Sequence, residues 1–103
     1  GAVDVQPEYP GGVAKLSEFV RANLKYPIEA AKKNIQGRVV VEFIILADGK
    51  MDDIKVTKSV DRLLDAEAIR IVKAMSKSKW TPGKLNGEPV AVRFILPVSF
   101  SLK

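Results

Sequence analysis

The 103-residue chain contains no cysteine and no histidine. The first absence excludes disulfides, thiolate nucleophiles and zinc ribbons, and it leaves the redox compartment undetermined. The second removes the commonest general base and the commonest transition-metal ligand. Long apolar runs are missing as well. The longest, Val39 to Leu46, is broken by Glu42 and falls far short of the roughly 20 residues that a membrane-spanning helix requires. No charged-then-apolar signal peptide precedes it. These absences point away from an enzyme and toward a soluble, non-catalytic domain without a cofactor. The formal charge of +5 suits nucleic acid, an anionic surface or plain solubility, and does not choose among them.

With 47% hydrophobic residues, a chain of this length builds one modest core and is too short for two. The most informative stretch is Gly37 to Ser59. Val39, Val41, Phe43 and Ile45 alternate with Val40, Glu42, Ile44 and Leu46, the period-2 pattern of a strand with one covered face. Asp48-Gly49 then signals a tight hairpin, because both residues tolerate a left-handed backbone. A second run follows, with Ile54 and Val56 on one side and Asp53, Lys55 and Thr57 on the other.

Residues 1 to 10 carry two prolines and no periodicity, which predicts an extended lead-in, with the domain proper from 11 to 103. Gly1-Ala2 reads as a cloning remnant. After Gly11-Gly12, Leu16, Phe19, Val20 and Leu24 recur at helical spacing, and Tyr26-Pro27 ends that helix. Pro27 suits the first position of a second, short helix reaching about Asn34. Asp61 is the expected N-cap of a third helix from about Arg62 to Met75, with Leu64, Ala68, Val72 and Met75 as its apolar stripe and Ile69 and Ile71 at the border. Asn86-Gly87 marks another turn. From Val90 the alternation returns, placing Val92, Phe94, Leu96, Val98 and Phe100 on the covered face and Arg93, Ile95, Pro97 and Ser99 opposite.

Pro97 cannot donate to a ladder, so the last strand belongs at a sheet edge, paired antiparallel to the first. The fold class is α+β in two layers, with helices on one face of a three-stranded antiparallel sheet ordered second, first, third.

Several candidate chemistries reduce to structure. Asp48, Asp52 and Asp53 lack the alternating ligands and terminal glutamate of a calcium loop, and turn formation accounts for them. Gly11-Gly12 is not embedded in a phosphate-binding motif. The serines have no histidine partner and no singled-out lysine. Arg70, Lys73, Lys77, Lys79 and Lys84 surround Trp80, yet Phe43, Phe94 and Phe100 lie on the core face rather than on an exposed stacking platform, which argues against nucleic acid. What remains is the edge. A strand with unpaired backbone groups invites another strand, so peptide capture by strand addition is the leading expectation. Covering of that edge by the lead-in, or by a second copy in a homodimer, is the competing one.

The order and spacing of Tyr9-Pro10-Gly11-Gly12, Asn23-Leu24-Lys25-Tyr26-Pro27, Ile35-Gln36-Gly37-Arg38-Val39, Asp48-Gly49, Leu64-Asp65-x-Glu67-Ala68, Trp80-Thr81-Pro82-Gly83 and Pro97-Val98-x-Phe100 resemble the TonB C-terminal domain from about residue 8 to residue 102. The resemblance implies the periplasmic end of an energy transducer anchored in the inner membrane of a Gram-negative cell. It implies as partners the ExbB-ExbD motor and the TonB box peptide of outer-membrane receptors for siderophores, vitamins or glycans. Neither anchor nor linker is in this sequence, which reads as an excised domain. In the family the box peptide pairs with the last strand, here Val90 to Phe100, so the implied partner-binding residues are Val90, Ala91, Val92, Arg93, Phe94, Ile95, Leu96 and Val98. Studied members place glutamine four residues after the proline of the Tyr-Pro motif, beside the peptide; this chain has Ala31 there. An adaptor, sensor or peptidoglycan-binding domain of the same fold is the alternative.

Overall fold

The computed structural model describes residues 3–102; Gly1, Ala2 and Lys103 lie outside it, and the reading of the first two as a cloning remnant with them. Helix α1 (Val13–Asn23) and the short α2 (Ile28–Lys32) come first. Strands β1 (Gly37–Ile45) and β2 (Met51–Lys58) follow, then helix α3 (Arg62–Met75). The chain ends with β3 (Gly83–Leu85), β4 (Glu88–Val90) and β5 (Val92–Phe100).

The main sheet has the order β2-β1-β5 and is antiparallel throughout. Val39, Val41, Phe43 and Ile45 on β1 are fully buried, as the alternation requires, together with Val98 and Phe100 of β5. Above them lies α3, capped by the Asp61 carboxylate, which accepts the Leu63 N–H at 2.9 Å. It buries Leu64, Ala68, Ile71, Val72 and Met75; Ile71 belongs to the core rather than to the border of the stripe. The first two helices end earlier than the proline and asparagine signals suggest. Helix α1 stops at Asn23, three residues before Tyr26, because the Lys25 N–H is taken by the Glu67 carboxylate of α3 at 2.6 Å. Helix α2 stops at Lys32, and Asn34 turns left-handed at φ 57°.

One boundary needs correction. Val90 does not begin the last strand: it pairs with Gly83 in the two-stranded ribbon β3-β4, and β5 starts at Val92 after Ala91. The period-2 alternation runs unbroken through both strands, so sequence alone fuses them. The lead-in joins this ribbon rather than β5. Val5 bridges Lys84 and Glu8 bridges Thr81, with the Lys84 N–H donating to the Val5 carbonyl at 2.9 Å and the Thr81 N–H to that of Glu8 at 2.9 Å.

Trp80 ties the parts together. It is 1% exposed, and its ring meets Tyr9, Phe43 and Phe94 edge-on at 5.6, 5.5 and 5.1 Å between centroids. Its Nε1–H points to the Met75 carbonyl at the end of α3, 3.4 Å away.

Candidate peptide-binding edge

A strand residue directs its own N–H and C=O to one flank, and the next residue directs its pair to the other. On β1 the Val40 carbonyl accepts from the Thr57 hydroxyl of β2 at 3.4 Å, and the Leu46 N–H donates to the Lys50 carbonyl across the hairpin at 2.8 Å. Even-numbered residues of β1 therefore turn to β2 and odd-numbered ones to β5. Their partners follow from the register, in which Val41 faces Leu96, Phe43 faces Phe94 and Val39 faces Val98. Residues 92, 94, 96, 98 and 100 bond β1, leaving the backbone of Arg93, Ile95, Pro97 and Ser99 directed to the other flank, which is open among the described residues. Pro97 opposite Val40 falls where its missing N–H costs the ladder nothing.

The other edge of the sheet is guarded. Strand β2 slips register between Val40/Val41 and between Glu42/Ile44 of its partner, Asp53 is left-handed at φ 53°, and the exposed Asp52, Lys55 and Lys58 stud it. Bulges and charges of this kind discourage pairing. Strand β5 is continuous in register over its whole length.

Beside the open flank of β5 runs a groove of about 620 Å³. Phe94, Ile95, Leu96, Pro97 and Ser99 form one wall, and Val13, Leu16, Ser17, Val20 and Arg21 of α1, with Leu24 just beyond its end, form the other. Val13 and Ile95 are 75% and 57% exposed, so its rim is apolar as well as its floor. Phe94 is held in place by stacking on Phe43 at 5.3 Å and by Trp80. Helix α1 is held near its middle by Phe19 against Tyr9 at 6.0 Å. At its C-terminal end the Arg70 guanidinium donates to the Asn23 carbonyl at 2.8 Å.

The residues expected to bind a partner are thus distributed unequally. Phe94, Ile95 and Leu96 line the groove. Arg93 lies on the far face of the sheet, its Nε 3.6 Å from the Glu42 carboxylate. Val92 opens β5 and Ala91 is the joint before it, while Val90 belongs to the ribbon. Val98 is 1% exposed and its side chain is committed to the core. Ala31, half-buried on α2, is not among the residues lining the groove. Sequence reasoning does not find the α1 wall. Its stripe of Leu16, Val20 and Leu24 is legible, but only Leu16 is buried, Val20 and Leu24 are half-buried, and all three line the groove. Asp48 serves its turn, accepting the Lys50 N–H at 3.0 Å.

Residues 22–102 match the family of Gram-negative bacterial TonB protein C-terminal domains. The chain is 42% identical over 67 residues to Protein TonB of Pseudomonas aeruginosa, covering 64% of this chain and 19% of that protein. Across its whole length it is 30% identical to Protein TonB of Helicobacter pylori, of which it spans 37%. A solution structure of the Helicobacter pylori TonB C-terminal domain superposes with a TM-score of 0.72 at 30% identity, covering 92% of this chain and 89% of that one. That of Pseudomonas aeruginosa gives 0.56 at 36% identity, covering 77% and 78%. The chain spans well under half the length of these curated relatives. An antiparallel β2-β1-β5 sheet under α3, carrying that family's sequence along most of its length, makes this chain a member of the family of Gram-negative bacterial TonB protein C-terminal domains.

Proposed function

We propose that this domain works in the periplasm, where it captures the TonB box peptide of outer-membrane TonB-dependent receptors as a fourth strand on β5. It then passes on the pull of the inner-membrane ExbB-ExbD motor. The observation that carries this reading is the open flank of β5 facing an apolar groove walled by α1. The backbone ladder supplies sequence-independent grip, and the groove selects alternate side chains. At about 1 kcal/mol net per bond, with apolar burial added and ordering entropy subtracted, affinity falls on the order of micromolar. A strand pulled along its axis loads its bonds together, so it resists force better than that affinity suggests.

The test is a pair of proline substitutions read by peptide titration and thermal unfolding. Ile95→Pro removes an N–H from the open flank and is expected to abolish binding of receptor-derived peptides while the fold survives. Leu96→Pro removes one that faces β1 and leaves the Val41 carbonyl without its partner, costing about 2 kcal/mol of stability. Undiminished binding by Ile95→Pro overturns the strand-addition reading.

A further inference from the structure

Two prolines stand on the same flank of the last two strands. In the ribbon, the Lys84 N–H and C=O both go to the lead-in, at 2.9 Å to the Val5 carbonyl and 2.8 Å from the Asp4 N–H. Gly83 and Leu85 must then turn theirs to β4, where Val90 and Glu88 oppose them. Pro89, opposite Lys84, sits at the intervening non-bonded position with its nitrogen directed away from β3. In β4, as in β5, even-numbered residues bond the inner neighbour. The alternation passes through Ala91 without changing phase, so odd-numbered residues form one flank across both strands. Along that flank the residues are Pro89, Ala91, Arg93, Ile95, Pro97 and Ser99.

Proline offers a carbonyl but no N–H, and its ring occupies the place where a neighbouring strand's carbonyl approaches. An added strand lies about 4.8 Å away, too near to bypass that ring. A visitor centred on Arg93 finds three residues, Ala91, Arg93 and Ile95, with both a donor and an acceptor on that flank. At either proline, its ladder stops.

We infer that Pro89 and Pro97 frame a docking window at residues 91–95, fixing the register and limiting the length of the strand that β5 accepts. The inference rests on the strand-addition reading above and adds to it the size and position of the ligand: a short extended segment of about five residues, set by the spacing of two imino acids. The same device keeps a second copy of the chain from pairing along the whole edge, since a long partner strand meets a proline at each end.

The experiment titrates the domain with receptor-derived peptides lengthened from five to seven to nine residues at the Pro97 end. With the unmodified protein, affinity is expected to level off once the window is covered. With Pro97→Ala the nine-residue peptide should bind about fivefold tighter than to the parent, the worth of one added ladder bond, and about fivefold tighter than the five-residue peptide binds the same variant. A steady rise in affinity with length on the unmodified protein overturns the inference, and so does equal binding of the nine-residue peptide to both proteins. The length series on the parent decides for or against the window even if Pro97→Ala fails to fold. If none of the peptides binds, or if Ile95→Pro leaves their binding intact, it is the strand-addition reading that fails, and the window with it.

Discussion

Glu67 and Arg70 stand one turn apart on α3, and the carboxylate takes the guanidinium through both Nε and Nη2 at 2.7 Å. The same carboxylate, 8% exposed, accepts the Lys25 N–H just beyond α1. Burial pushes this carboxyl up, but the Arg70 and Lys25 hydrogen bonds and the two positive charges outweigh it and hold it below the ordinary value of 4.5. A depressed native value contributes stability that is complete above the unfolded value and fades as pH falls through the native one. Glu67→Gln should therefore be less stable than the parent near neutrality, with the gap closing as pH drops below 4.5. Urea midpoints measured at several pH values check this; a gap independent of pH contradicts it.

Two glycines separate backbone strain from crowding. Gly49 has φ 88° and a Cβ there would collide with the Trp80 carbonyl oxygen, whereas Gly87 has φ 80° and open space around it. Gly87→Ala should cost about 1 kcal/mol, the left-handed penalty alone. Gly49→Ala adds displacement of the Trp80 backbone and should cost about 3 kcal/mol or more. Equal losses in denaturant unfolding would show that the Trp80 contact is not rigid.

Hydrogen exchange reads the two flanks of β5 directly. The amides of Arg93, Ile95 and Ser99 should exchange quickly, and those of Phe94, Leu96 and Val98 slowly, by at least about tenfold, because only the second set is bonded to β1. Bound peptide should slow Arg93 and Ile95. Uniform protection along β5 in the free domain would mean that its outer flank is already occupied.

The α1 wall makes its own prediction. Val13 is 75% exposed and opens α1, where an acidic side chain suits the helix dipole, so Val13→Asp should leave stability within about 0.5 kcal/mol. It also places a charge on the apolar rim of the groove. Peptide affinity should fall about fivefold, roughly 1 kcal/mol; calorimetry showing no change would remove α1 from the binding surface.

Where one residue's role is dictated by its neighbours in sequence, that role is legible. Val39 to Ile45 mark the central strand, Asp48-Gly49 its hairpin, Asp61 the cap of α3, and Pro97 the edge position of the last strand. What is not legible depends on partners distant in the chain. Val90 alternates in step with Val92 and differs from it only in pairing with Gly83, a choice that local pattern does not record. Val5 and Glu8 look structureless because each is ordered by a single bridge, to Lys84 and Thr81. Val20 and Leu24 carry the periodicity of a core helix, and nothing in that period distinguishes a face that is packed from one that lines a groove.

The stitching of the lead-in to β3 has a mechanical corollary. Tension applied at Val5 would cross sideways into Lys84, turn at Asn86-Gly87, and run along the main chain through Ala91 into β5. Helix α3 and the β1-β2 hairpin lie off that line. The Val5 bridge and β5 are thereby joined through the β3-β4 ribbon, and a load shared between them would leave the packing of α3 on β1 to one side.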